Sequence, residues 1–419
     1  MEQLTPDLTM DILSRLPIRS LLRSRCVCKF WLTITSDQAF YKLHLINQSS
    51  THDAIFISFH HYPSGWKNLY FVEQPKSGLP VFLKKIDISF ITGFQEDISF
   101  ITGFQEHFLV VLGVCKGLLC LSILPPLRHV GNSYLPTVLN PIPESRNLLN
   151  TISRPIYIMN PVTGEYHQPL NFQESLFSKN PTDVKYGFGF DDSMQVFKVV
   201  VFLGSAGVDV MNEMQVYTIG VGSNNTWRRE VGNVPKVLFY SIQMTLDPFV
   251  NGCLHLIATT DRIISTDNRN IIVSFHLGSE EFEVIETPES IAVTQFKIAR
   301  QSFTLGVVND CLSFVDAAHI DLVDIWLRKK ENETASWIKH FSLHKDLIAP
   351  IPFQRINLIN YKKNGELLLQ SPYGVVVYNV QGNTTSKFVE IGGFEEPHEV
   401  DDFIVIPFDG SLISMDILH

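Results

Sequence analysis

Asn251-Gly252-Cys253-Leu254-His255-Leu256 sets a tight-turn dipeptide directly before alternating apolar positions. Asn-Gly tolerates the left-handed backbone that a two-residue hairpin requires, and a period of two marks a strand buried on one face. The arrangement returns at Asn309-Asp310-Cys311-Leu312-Ser313-Phe314, at Asn364-Gly365-Glu366-Leu367-Leu368-Leu369 and at Asp409-Gly410-Ser411-Leu412-Ile413-Ser414. An earlier copy stands at Lys116-Gly117-Leu118-Leu119-Cys120-Leu121. The last four begin about 45 to 58 residues apart, the length of a four-stranded propeller blade. Residues 48–419 then hold six to eight blades. A pair of β-sandwiches is the competing arrangement; the closed ring is favoured because radial repetition protects strand edges.

The segments between these turns agree. Ala54-Ile55-Phe56-Ile57-Ser58-Phe59, Val196 to Phe202 and Ile271 to Phe275 are β-branched and aromatic. Turn chemistry separates them at Asn160-Pro161-Val162-Thr163-Gly164-Glu165, Gly278-Ser279-Glu280-Glu281 and Gln381-Gly382-Asn383. One repeat is not a blade: Asp87 to Glu96 recurs unchanged as Asp97 to Glu106. Ten residues is an even number, so a strand lengthened by it would keep its faces. A surface-loop insertion is the preferred reading of 87–106, since loops tolerate added length cheaply.

Before residue 48 the period is helical. Leu8, Ile12 and Leu16, then Leu21, Leu22 and Cys26, then Val27, Phe30, Trp31 and Ile34 recur at helix spacings. Pro6 suits a first helical position, Pro17 stops the first helix and Ser20 can cap the next, which predicts three short helices. So small a piece buries too little surface to stand alone, and must pack on the body or on a partner. The fold class expected is therefore mainly β with a small all-α N-terminal domain: a three-helix unit over 1–47, then a β-propeller over 48–419. A DNA-reading helix-turn-helix is the other use of three short helices. Arg15, Arg19, Arg23, Arg25 and Lys29 lend it charge, but Asp7 and Asp11 offset them and no polar helix suited to base contacts stands out.

Leu8 to Trp31, with I-L-x-R-L-P, S-L-L-R and V-C-K-x-W in that order, resembles an F-box of the kind abundant in plants; Ser36 to Phe40 and Leu43-His44-Leu45 resemble its ending. The departures are Thr5 after Leu4, which moves the proline to Pro6, and Phe30 where a small polar residue is commoner. Cys115 to Cys120, Asn160-Pro161-x-Thr163-Gly164-Glu165, Tyr186 to Asp191, Val216-Tyr217-Thr218, Trp227-Arg228, Asn251-Gly252-x-Leu254-His255, Ile325-Trp326 and Ser336-Trp337 resemble the F-box-associated, kelch-like region that follows such motifs. The resemblance implies a non-catalytic substrate-receptor subunit of an SCF-type (Skp–cullin–F-box) ubiquitin ligase. It would bind the Skp-type adaptor, and through it cullin and RING subunits, while the C-terminal domain binds a target protein that the sequence leaves unidentified. The adaptor-binding residues it implies are Leu4, Pro6, Leu8, Ile12, Leu13, Leu16, Pro17, Leu21, Leu22, Val27 and Trp31. A kelch-like propeller acting as a carbohydrate-binding module or metal-dependent enzyme is the alternative.

Composition sets bounds on both. Net charge is −10 with no basic block, which argues against nucleic acid as a partner. The first residues lack a basic region followed by an apolar core, and the apolar stretch Phe108 to Leu124 is broken by Gly113, Lys116 and Gly117. The expectation is a protein of the cytoplasm or nucleus, without a membrane partner and with reduced, buried, structural thiols. No cofactor or metal is expected: Cys26-Val27-Cys28, Cys115 to Cys120 and His60-His61 lack ligand spacing. Gly204-Ser205-Ala206-Gly207 is neither a phosphate loop nor a nucleophile elbow. Asp191-Asp192 and Asp401-Asp402 read as solvated turn residues, and Trp227, Trp326 and Trp337 as packing aromatics.

Overall fold

The computed structural model describes residues 5–16, 18–47, 54–61, 65–73, 83–86, 108–124, 127–130, 133–136, 154–167, 170–172 and 183–204. It further describes 211–220, 226–241, 243, 245–260, 269–288, 302–331, 334–348, 355–362, 364–371, 374–390, 400–408 and 410–413. The duplicated segments 87–106 lie outside these residues.

Four helices come first: α1 (Pro6–Ser14), α2 (Ile18–Ser24), α3 (Lys29–Thr35) and α4 (Gln38–Asn47). The sequence pattern predicts three; the fourth begins where the Asp37 carboxylate accepts the backbone N–H of Ala39 at 2.7 Å. The rest of the described chain is almost wholly antiparallel sheet. The first sheet orders β26 (Val400–Phe408), β1 (Ala54–His61), β2 (Gly65–Glu73) and β3 (Leu83–Lys85). The second orders β4 (Phe108–Cys115), β5 (Leu118–Leu124), β8 (Arg154–Met159) and β9 (Leu170–Phe172), with a separate hairpin of β6 (Leu127–Val130) and β7 (Ser133–Pro136) between.

The third sheet holds β10 (Asp183–Asp191), β11 (Val196–Gly204), β12 (Glu213–Ile219) and β13 (Trp227–Val231), and the fourth β14 (Phe249–Val250), β15 (Cys253–Thr259), β16 (Asn270–His276) and β17 (Glu281–Glu286). The fifth runs β18 (Phe303–Val308), β19 (Cys311–Asp316), β20 (Leu322–Glu331) and β21 (Thr334–His344). A short helix, α5 (Lys345–Ile348), leads to the sixth, β22 (Asn357–Tyr361), β23 (Glu366–Ser371), β24 (Gly374–Asn379) and β25 (Thr384–Glu390). Each sheet packs against its neighbours through its inner strands: β26 on β4, β4 on β10, β10 on β15, β15 on β18, β18 on β22 and β22 on β26, so the sheets close a ring.

Between adjacent sheets lies apolar core. Phe188, Val199 and Val201 of the third sheet pack with Cys120 and Ile158 of the second; Phe202 and Val216 pack with Leu256 and Phe275 of the fourth; Val315 and Ile325 of the fifth pack with Leu367 and Leu369 of the sixth. Trp227, Trp326 and Trp337 border such cores, as packing aromatics do. Polar clips cross the seams at the rims. Thr304 Oγ1 donates to the Ile356 carbonyl at 2.7 Å, Trp337 Nε1 to the Glu286 carbonyl at 2.8 Å, and the Val405 N–H to Gln370 Oε1 at 3.2 Å.

The antiparallel order sorts the connectors onto two faces. One face carries the short turns at 116–117, 192–195, 251–252, 277–280, 309–310 and 362–365, several of them left-handed at Lys116, Asn251, Asn309, Asp310 and Gly365. These are the repeated turns that the sequence displays. β3, β5, β9, β13, β17 and β21 end on the opposite face. β1 starts, and β26 ends, on the short-turn face, which is where the helices sit.

Candidate docking surface on the helical head

Thr5 and Pro6 start α1 together. The Thr5 hydroxyl accepts the Leu8 N–H at 3.4 Å, Pro6 takes the first helical positions, and Asp7 faces the positive end of the helix dipole. The residue that departs from the family's Leu-Pro opening is thus a helix cap. Thr9, Leu13 and Ser14 line the buried face of α1. Leu8 and Ile12, one helical turn apart, are left 54% and 49% exposed.

α4 closes the head against α1. The ring of His44 is buried and its Nε2 donates to the Leu16 carbonyl at 3.2 Å, while Asn47 Nδ2 donates to Ser14 Oγ at 2.7 Å. Desolvation lowers the His44 pKa, which keeps the ring neutral and its Nε2 proton on that carbonyl. Inside lie Leu13, Leu21, Ile34, Phe40 and Tyr41, with Leu16, Ile18, Leu22 and Trp31 at the margin.

The expected adaptor-binding residues therefore separate into layers. Leu8, Ile12 and Val27 are exposed, Pro6 likewise; Leu16, Leu22 and Trp31 are half-buried; Leu13 and Leu21 are 2% and 0% exposed. The last two are core residues, not surface ones, because the helical stripe that the sequence shows is shared between the head's own interior and its outside. Leu4 and Pro17 lie outside the described residues. Phe30 and Leu32 of α3, absent from that set, are also exposed apolar residues, at 46% and 42%. Their signal was present: Phe30 replaces a small polar residue beside Trp31. Cys26 and Cys28 flank Val27 and are also exposed, contrary to the expectation of buried thiols; Cys115 and Cys120 meet it, with burial raising Cys115 to about 12.

Exposed large apolar side chains on α1, α3 and the segment between α2 and α3 form a surface of the kind that partners cover. The Asp11–Arg15 pair on α1, at 2.8 Å, is solvent-exposed and contributes little. Val162 and Leu412 of the body join the head's core, while Leu8, Ile12, Val27, Phe30 and Leu32 stay exposed. Among the described residues no group of three or more His, Cys, Asp or Glu side chains is placed to hold a metal ion.

Residues 1–43 match the F-box domain and residues 141–409 match the F-box associated beta propeller domain. Similar Arabidopsis thaliana proteins include F-box protein At3g07870, 24% identical with 90% of this chain and 85% of that one covered. F-box/kelch-repeat protein At3g23880 is 24% identical over 81% of this chain and 80% of its own length, and F-box protein CPR1 is 26% identical over 48% and 51%. The mainly β ring, the helical head and these matches have one reading: the chain belongs to the plant-type F-box proteins with a C-terminal F-box-associated β-propeller domain.

Proposed function

We propose that this protein is the substrate-receptor subunit of an SCF-type ubiquitin ligase. The exposed apolar strip of Leu8, Ile12, Val27, Phe30 and Leu32 carries the reading. A Skp-type adaptor covers it, with Leu16, Leu22 and Trp31 filling the base of the contact, and interface energy concentrates in these few aliphatic and aromatic anchors. Cullin and RING subunits follow through the adaptor. The protein supplies no catalytic group; it raises the effective concentration of target lysines near the charged ubiquitin. Among the described residues the six four-stranded sheets serve as its blades. The target sits on the face opposite the head, where sheet ends present connections that vary freely around a fixed scaffold.

Leu8→Asp with Ile12→Asp tests this. Both side chains are about half exposed, so the double variant keeps its fold and loses capture of a purified Skp-type adaptor. Undiminished capture by the folded variant would sink the proposal.

A further inference from the structure

The core of the head is not made by the head alone. Leu412, 365 positions after Asn47 in the chain, is 2% exposed and packs in one cluster with Leu13, Leu21, Ile34, Phe40 and Tyr41. The segment carrying it is fixed to the second sheet on both flanks. Asn160 is fully buried, and its side-chain Nδ2 donates to the Ser411 carbonyl at 3.0 Å and the Ile413 carbonyl at 2.8 Å. Its Oδ1 accepts the Val162 N–H at 2.9 Å, which shapes the turn that delivers Val162 to the head. On the other side Ile413 enters the core between the second and third sheets, with Cys120, Ile158 and Phe188.

The fit leaves no slack. A Cβ on Gly410 would stand 3.0 Å from Ile18 Cγ2 of the head and 3.1 Å from Val162 Cγ2 of the ring. A Cβ on Gly117, whose φ is +78°, would fall 2.5 Å from Ser411 Oγ and 2.7 Å from its backbone nitrogen. Glycine at 117 therefore answers two demands at once, a left-handed backbone and the crossing of another strand of chain.

We propose that residues 410–413 are a keystone: they complete the hydrophobic core of the F-box head while hydrogen-bonded to the ring, so that head and propeller move as one body. Leu412 and Asn160 are positioning residues on this view. They touch no partner, but they set the angle at which the adaptor holds the propeller. This last step rests on the adaptor-docking reading; the keystone itself does not.

Hydrogen exchange on the full-length protein, read by mass spectrometry, separates the two. With Leu412→Asp, amides of residues 18–47 exchange at least tenfold faster, while those of β11 and β16 keep wild-type rates and capture of a purified Skp-type adaptor weakens at least tenfold. Asn160→Asp keeps volume and the Oδ1 acceptor but removes both donors, and shifts the head in the same direction by less. Leu412→Met, which conserves volume, behaves as wild type. Wild-type exchange of the head in Leu412→Asp would overturn the keystone, as would equal loss of protection in head and ring. A wild-type protein whose protected head fails to capture adaptor would overturn the docking reading and leave the keystone standing.

Discussion

The ammonium group of Lys198 lies 2.9 Å from the carboxylate of Asp191, and neither side chain is more than 4% exposed. Lys198 also donates to the Leu277 carbonyl at 2.8 Å and to Glu280 at 3.1 Å, so one buried cation joins the third sheet to the fourth. Burial on its own would raise the Asp191 pKa. Hydrogen bonds from the Ser193 hydroxyl, from Lys198 and from the Met194 N–H outweigh it and hold the carboxyl at about 2.

Removing one member leaves the other buried without its partner. Lys198→Met is expected to cost about 3–5 kcal/mol, read as a fall in the denaturant midpoint with little change in slope. Because the folded pKa of Asp191 is depressed from 3.8 to about 2, its stabilisation is complete above pH 3.8 and drains as pH falls toward 2. Asp191→Asn should flatten the acid limb of the unfolding profile in that window. An unchanged limb would show that the pair is not a determinant of acid stability.

In the fourth sheet His255 makes a second acid-sensitive contribution. His255 is buried with its Nδ1 donating to the Pro248 carbonyl at 3.0 Å, and desolvation lowers it from 6.5 to about 4. Below pH 6.5 the unfolded chain takes the proton first, so stability is lost down to pH 4, by about 3 kcal/mol in all. The acid loss of stability between pH 6.5 and 4 should lessen for His255→Gln; a profile parallel to wild type would contradict the assignment.

Gly117 and Gly164 share a φ of +78°, but no atom lies within 4 Å of a Cβ at Gly164. Asn tolerates the left-handed region, so Gly164→Asn should stay within about 0.5 kcal/mol of wild type. Gly117→Asn meets Ser411 as well and should cost at least about 2 kcal/mol. Equal midpoints for the two variants in thermal unfolding would remove Ser411 from the account.

Leu21 is enclosed and Ile12 is half exposed. Leu21→Ala should loosen the head by about 2–5 kcal/mol, while Ile12→Ala changes folding by about 0.5 kcal/mol or less and acts on adaptor capture instead. Local hydrogen exchange and capture assays, run side by side, read the two effects separately. Equal exchange in both variants would mean that burial does not distinguish them.

Much of this fold was legible because its determinants are local. Lys116-Gly117, Asn251-Gly252, Asn309-Asp310 and Asn364-Gly365 all join the first and second strands of a sheet, where left-handed residues are needed. The fifth copy, Asp409-Gly410, has the same residues and a different task. After β26 no second strand follows on that side, since β1 already occupies it, and the alternating Leu412 and Ile413 go to the head and to the ring. Sequence pattern gives the alternation but not what lies on either side of it. Asp191 shows the same limit: beside Asp192 it reads as a solvated turn residue, yet Asp191 is buried on Lys198 while Asp192 is exposed with Lys116 at 2.9 Å. On the head, period 3.6 identified the apolar stripe but not which members face inward, which depends on where α4 and Leu412 cover it.

The pairing of β26 with β1 also has a temporal side. A chain emerging from the ribosome at about 5–20 residues per second makes the four helices first, then waits roughly 20–70 s for Leu412. Through that interval the nascent head lacks part of its core and the first sheet lacks its inner strand. On the adaptor-docking proposal, a message cut short before codon 412 would therefore yield a head that fails to hold adaptor, and completeness of translation becomes a condition of assembly. Adaptor capture by chains stalled at successive lengths would reveal it as a step at that point, and a gradual rise in capture would refute it.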